Sequence, residues 1–449
     1  MELGAALLAV GADERTSFEM FSDTLDPTWI AQALATTGTA TIRRRKLPAD
    51  YVVWLVIGMA LLRDRSIREV VRHLDLILPA SGARPTVSGS AIVQARTRLG
   101  PQPLAALFAQ SAAVWSTAAA DAERWRGLAV YGVDGTTLRV PDSATNATAF
   151  GRAPVRWEST GGYPVLRLVA LMVLRRHLLA GLAIGAYRDS ELTLAASLWG
   201  QLPEASLVIV DRRFAAYALF HRLGDPAHQR HWLTRARRGA CTVAWRVVQR
   251  LAPDDDLVDL TPGRQTQRAH PDLPPTLRVR AIRYRRRGFR PQVLLTSLLD
   301  PVAYPAAELV ALYHERWELE LGFDEVKTHT LEREEALRSK TPARVEQEVW
   351  GLAIGYNLVR LAMARAAARV GMPALRISYR HALLLIRGFW ASAWLAAPGV
   401  LPRRIERLHE ELALLVLPER RPRRFPRVVK IKMSNYPRKR PRPRRSRVK

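Results

Sequence analysis

The chain has one cysteine, Cys241, among its 449 residues. That excludes an intramolecular disulfide and any zinc centre built on several cysteines, and it fits a reducing compartment. Acidic residues are scarce as well: 41 Asp and Glu stand against 69 Lys and Arg, a formal charge of +28. This exceeds what solubility needs and is the balance of a protein that faces a polyanion. An RNA-binding protein could share it, so charge selects nucleic acid and no finer class. Long apolar runs are also missing. The longest in the N-terminal third, Val52 to Leu62, is too short to cross a bilayer. The N-terminus lacks the basic flank of a secretory signal. The expected setting is the cytoplasm, with no membrane partner.

What is present suffices for ordinary cores. A hydrophobic content of 48% over this length allows two or three domains. From Asp26 to about Ala120 the pattern is helical: DPTWIAQALATTG opens on Asp-Pro, LPADYVVWLVIGMALLRD is strongly apolar, and SIREVVRHLDLIL is amphipathic. After a Pro/Gly/Ser-rich link come SAIVQARTRLG and PQPLAALFAQSAAVW, joined at Gly100. This pair reads either as a plain αα-hairpin or as a DNA-reading helix-turn-helix with Gln94, Arg96 and Arg98 outward.

From about Leu128 the texture is α/β. Strand-like runs LAVYGVDG, VLRLVALMVL and HLLAGLAIGAYR precede a helix, ELTLAASLWGQL, then strand SLVIVD and helix AAYALFHRLG. Three strands, a helix, a strand and a helix is the order of a ribonuclease-H-like domain. Its first and fourth strands are neighbours, so Asp134 and Asp211 are expected side by side at one sheet edge. An aspartate ending a buried strand is costly unless its charge is used. Each also has an ordinary explanation, Asp134 as a turn residue and Asp211 as a helix N-cap. The region of roughly 230 to 300 is rich in Arg and β-formers. Arg283, Arg285, Arg286 and Arg287 there either track DNA phosphates or make a solvated basic edge. Asp254, Asp255 and Asp256 read as a loop.

Residues 313 to 327, YHERWELELGFDEVK, hold Tyr313, Arg316, Glu320 and Lys327. In a continuous helix these four fall within roughly 60° of one face. A stripe at that spacing is normally apolar; here it is a carboxylate among two cations and a phenol. Helical segments follow to about residue 417. Residues 420 to 449 carry fifteen Lys or Arg and no acid, so the rest of the chain still carries +13. Such a tail cannot build a core and is expected to be a disordered DNA-contacting segment.

The spacing Tyr-x2-Arg-x3-Glu-x6-Lys, with Asp-Arg-x-Phe at 211 to 214 and Val-Asp-Gly-Thr at 133 to 136, resembles the DDE transposases of bacterial insertion sequences. Within them it is similar to the insertion-sequence-four family, over about residues 18 to 440. The resemblance implies an α/β fold: a ribonuclease-H-like catalytic domain (126–230 and 301–417) interrupted by an inserted β-subdomain (231–300). An all-helical DNA-binding domain (1–125) would precede it and a basic tail (418–449) would follow. It implies Asp134, Asp211 and Glu320 as catalytic ligands of two Mg²⁺ ions, with Mn²⁺ as a substitute and Asp134 shared between them. Tyr313, Arg316, Trp317 and Lys327 carry over as DNA contacts. The implied partners are double-stranded DNA, both transposon ends and target, and a second copy of the chain in a synaptic complex. The implied activity is cut-and-paste transposition from the inverted repeats, in a bacterial cytoplasm. Relatives that cleave through a hairpinned end stack a flipped base on a Trp before the catalytic helix. FRPQVLLTSLL has none there, and Trp245 is a candidate substitute or a core residue. A nuclease without strand transfer and a binding-only descendant are the rival readings. The full helix motif and the insert oppose the first, and three intact carboxylates the second.

Overall fold

The computed structural model describes residues 24–40, 47–77, 87–153, 162–237, 244–286, 290–332, 336–393 and 400–419. The basic segment 420–449, Cys241 and Arg287 lie outside these residues.

Five helices come first: α1 (Pro27–Thr36), α2 (Ala49–Leu61), α3 (Ile67–Ile77), α4 (Gly89–Leu99) and α5 (Gln102–Asp121). Their starts are written locally. Asp26 accepts the Thr28 amide at 2.8 Å ahead of Pro27, and Ser88 accepts the Ala91 amide at 3.2 Å. Gly100 ends α4 at φ +67, where a side chain would be strained. Arg96 corrects the expectation for α4. It is buried, with its guanidinium on Gln347 (2.8 Å) and Ser339 (2.9 Å), while Gln94 and Arg98 remain exposed. Burial lowers Arg96 to about 10. A cation so enclosed ties α4 to residues 339–347 and does not face outward.

The sheet then forms from β1 (Ala129–Arg139), β2 (Val165–Val173), β3 (Leu178–Ala186), β4 (Ser206–Val210), β5 (Arg230–Arg235), β6 (Ala244–Ala252), β7 (Asp255–Thr261), β8 (Leu277–Tyr284) and β9 (Gln292–Thr296). Between β1 and β2 lies α6 (Ala144–Phe150), between β3 and β4 α7 (Glu191–Ala195), between β4 and β5 α8 (Tyr217–Leu223), and between β7 and β8 α9 (Arg264–Ala269). All nine strands make one sheet, in the order β3-β2-β1-β4-β5-β9-β8-β7-β6. β1 runs antiparallel to β2 and parallel to β4, and β4 runs parallel to β5. Alternate residues of β4 feed opposite cores: Leu207 and Ile209 one face, Val208 and Val210 the other.

The strands of the 231–300 region extend this same sheet, with β9 joining antiparallel to β5. β5 itself, most of it inside those bounds, is the fifth strand beside β4. The three acids at 254–256 are also corrected. Only Asp254 is in the turn, at φ +65; Asp255 and Asp256 start β7 and are buried. Arg280 of β8 forks onto Asp255 at 2.8 and 2.5 Å, and Arg283 reaches Asp256 at 2.5 Å. Opposite charges at diagonal positions of the neighbouring strands β7 and β8 thus hold two acids that the sequence reads as a loop. Trp245 packs against the core from β6.

After β9 come α10 (Ala306–His314), α11 (Trp317–Asp324), a π-helical stretch (Glu325–Thr330), α12 (Pro342–Arg369), α13 (Tyr379–Ala393) and α14 (Leu401–Ala413). α12 crosses α2 at close range. A Cβ on Gly351 would stand 2.7 Å from Val56 Cγ1 and 2.9 Å from its carbonyl oxygen. Arg63, just past α2, pairs with buried Glu348 at 2.8 Å. The N-terminal helices and the sheet thus share one apolar core.

Candidate active site

β1 is buried through Val133 and then emerges. β4 is buried along its whole length and ends at Asp211. Parallel pairing sets Val133 beside Val210, so Asp134 and Asp211 occupy the next rung. They lie side by side on two adjacent inner strands of the nine-stranded sheet: Asp211 directly follows β4, whereas Asp134 sits within β1, which continues to Arg139, and does not end its strand. Asp134 is therefore no turn residue, while Asp211 does cap a short helical turn, Arg212–Phe214. Asp134 Oδ1 accepts the Gly135 amide at 2.8 Å, and Asp211 Oδ1 accepts the Arg212 amide at 2.7 Å. One carboxylate oxygen of each is thereby oriented by backbone.

The third carboxylate arrives on a segment that is not one helix, which corrects the single stripe expected from the sequence. α10 stops at His314, and Glu315, Arg316, Glu318 and Leu319 donate their amides three residues back, a tighter winding than the α-helix. Past Asp324 the chain widens into the π-helical stretch, where the Leu331 amide reaches Val326 O at 3.0 Å. Overwinding before Glu320 and underwinding after it break the 3.6-residue spacing that the stripe assumed.

The break brings Arg316 to the centre. Its guanidinium lies 2.8 Å from Glu320 Oε1 and 3.4 Å from Asp134 Oδ2. Tyr313 is buried close to Asp211; burial pushes its phenol up to about 12, against the charges of Arg235 and Arg316. Lys327 lies within the π-helical stretch. Trp317 opens α11 with its ring partly exposed. The structure therefore gathers Asp134, Asp211, Arg316, Glu320 and Tyr313.

Asp134 is the electrostatic focus. Burial raises its carboxyl to about 6; the Gly135 amide and Arg316 oppose this, and the charges of Asp211 and Glu191 add to it. Sequence reading missed Glu191. It begins α7, accepts from Arg167 at 2.7 Å, and lies so close over Gly135 that a Cβ there would be 2.6 Å from its Cδ. In the sequence it is one acid after a Ser N-cap, the usual place for a helix-dipole residue. Arg235, at the end of β5 one rung past the Thr234–Val210 pair, was also passed over as one Arg among many.

Carboxylate oxygens suit a hard divalent cation, and Asp134, raised first by burial and then by the charges of Asp211 and Glu191, would have its ionised form favoured by such a cation. Here Arg316 supplies that positive charge. Among the described residues no three of His, Cys, Asp and Glu converge closely enough to hold one ion.

Comparison with known proteins gives the family. Residues 15–109 match the family described as insertion element 4 transposase N-terminal, and residues 125–358 match the transposase DDE domain. Domains of the latter kind are generally dependent on a divalent metal. The chain is 35% identical over 441 residues to the transposase InsG for insertion sequence element IS4 of Escherichia coli (strain K12), covering 97% of this chain and 98% of that one. It is 32% identical over 298 residues to the putative transposase InsZ of the same organism, covering 65% and 93%. A cryo-EM structure of the piggyBac transposase synaptic complex with hairpin DNA aligns at 10% identity and a TM-score of 0.44, over 91% of this chain and 86% of that one, too loose a likeness to argue from. The chain is a DDE transposase, an enzyme that cuts and joins DNA. Within that class the chain belongs to the insertion-sequence-four family.

Proposed function

We propose that the chain binds the terminal inverted repeats of its own insertion sequence, then cleaves and transfers those ends with Asp134, Asp211 and Glu320 as ligands for Mg²⁺. Mn²⁺ would substitute, because the donors are all hard oxygens. The observation that carries this reading is the strand register that joins Asp134 to Asp211, with Arg316 linking Asp134 to Glu320. A bound divalent ion would acidify the attacking water or 3′-hydroxyl and stabilise the departing oxygen. The chain's own residues do the rest. Arg316, free to exchange its carboxylate partners for phosphate oxygens, forks onto the DNA backbone. Tyr313 stays protonated and donates a hydrogen bond. Lys327 adds a point charge, and Trp317 meets the terminal nucleotide. The homodimer expected of a synaptic complex belongs to this proposal.

Glu320→Ala is expected to abolish nicking of transposon-end DNA while end binding stays within about threefold, since one ligand is lost and most phosphate contacts remain. Lys327→Ala is expected to weaken end binding instead. Cleavage by Glu320→Ala would remove Glu320 from the site.

A further inference from the structure

The turn from β2 to β3, residues 174–177, grips the segment that carries Glu320. Arg175 forks onto Glu315 at 2.9 and 2.9 Å. Two residues on, His177 adopts φ +54, in the left-handed region, and its side chain is 1% exposed. Its Nε2 lies 2.9 Å from Glu318 Oε2 and its Nδ1 3.3 Å from Glu325 Oε2. Both ring nitrogens face carboxylates, so the ring can donate to both at once only when each nitrogen carries a proton. Glu325 is backed from α12: the Tyr356 hydroxyl donates to it at 2.7 Å and Arg360 Nη1 at 3.4 Å. Arg360 in turn donates to the Arg176 carbonyl at 3.1 Å, closing the network on the turn. Burial opposes a charge on Glu325, yet Arg360 and His177 hold its carboxyl down at about 2.

The spacing gives this network a direction. Glu318 and Glu325 are seven residues apart and share a helix face, whereas Glu320 is roughly 140–200° away from both. The two anchors bracket Glu320 along the axis and hold the face opposite to it. Rotation of α11 would swing Glu320 away from Asp134, and a clamp two turns long resists that rotation. His177, Tyr356 and Arg360 are buried and the two glutamates half-buried, a costly set that holds together because its members pair with one another.

We infer that His177 is a positioning residue, which clamps Glu318 and Glu325 so that Glu320 faces Asp134 and Asp211. This rests on the reading of Glu320 as a metal ligand. No contact between His177 and substrate is involved; the ring acts through the helix.

The test uses the full chain bound to end DNA with Mn²⁺ as the probe, free Mn²⁺ being counted by electron paramagnetic resonance. His177→Ala is expected to weaken Mn²⁺ binding about tenfold, in the range for residues that orient a ligand, and to slow cleavage, with end-DNA affinity within about twofold. His177→Gln, which retains a donor, is expected to recover part of the loss. Should His177→Ala not fold, Glu318→Gln removes one anchor's charge and is expected to weaken Mn²⁺ binding in the same direction. Unchanged Mn²⁺ affinity and cleavage in whichever of these folds, with only the melting midpoint lowered, would make the network a core element and overturn the inference. Glu320→Gln separates the two readings. If it weakens Mn²⁺ binding and the clamp variants do not, the clamp alone fails; if Glu320→Gln binds Mn²⁺ normally, the ligand assignment fails and the clamp loses its object.

Discussion

Asp134 carries the electrostatic cost of the proposed site. Its carboxyl is raised from 3.8 to about 6, first by burial. An acid raised on folding binds its proton more tightly in the native state. Stability contributed by the protonated form is therefore lost as pH climbs from the unfolded to the folded value, and above about 6 the full penalty applies. Asp134→Asn removes that charge. The metal-free variant is expected to be more stable than wild type near pH 8 by about 2–3 kcal/mol, an advantage that shrinks toward pH 4, while cleavage is lost. Thermal melts across pH check this, and a variant less stable than wild type at pH 8 would contradict it. Arg280 is the opposite case, a cation whose removal strands its partner. Arg280→Met leaves Asp255 buried and unpaired, with an expected cost of about 3–5 kcal/mol. Arg278→Ala, breaking the more exposed pair with Asp259, is expected to cost less than about 1 kcal/mol. Equal shifts of the two denaturant midpoints would refute the distinction.

Among the elements, the segment from α10 through the π-helical stretch sets the site, and here the sequence was least legible. Residue types and spacing mark Tyr313, Arg316, Glu320 and Lys327, but a 3.6-residue ruler cannot register tightening at Glu315 and widening at Glu325. Those changes arise from tertiary contacts. Leu319 packs across β1 because Gly132 has no side chain: a Cβ there would stand 2.7 Å from Leu319 Cδ1. β4 was legible because a short β-branched run followed by Asp has few other readings, whereas β1 continues past Asp134 to Arg139 through Gly-Thr-Thr, residues that read as a turn. Arg96 and Asp255 were not legible, because their partners Gln347 and Arg280 are far away in sequence or hidden among many arginines. Helix contact by small residues yields a prediction at this scale. Gly351→Ala drives a methyl against the Val56 backbone, which cannot rotate away, and is expected to destabilise by about 1–3 kcal/mol. Gly355→Ala, whose nearest neighbour would be at 3.4 Å, is expected to be tolerated. A melting midpoint unchanged by Gly351→Ala would mean that α2 and α12 sit farther apart than described.

At the scale of the whole molecule, one sheet runs from β3 to β6, and the N-terminal helices share its core through α12. No helix among the described residues is long and apolar enough to cross a membrane. The charge of +28 is spread, with fifteen basic residues after Glu419 and an excess in the remainder. End-DNA affinity is therefore expected to fall steeply with salt, about 0.9 decades per decade of salt for each phosphate neutralised. Removing residues 420–449 is expected to flatten that slope without abolishing binding; an unchanged slope would show that the tail makes no phosphate contact. The central claim, that Asp134, Asp211 and Glu320 make one metal-dependent site that both cuts and joins, is tested most directly by strand transfer. Wild type and Asp211→Ala would be given DNA carrying the ends that flank the chain's own gene, with Mg²⁺ and a target plasmid. Joined products from wild type alone are the expected result, and joined products from Asp211→Ala, or cleavage by wild type with no joining, would contradict the account.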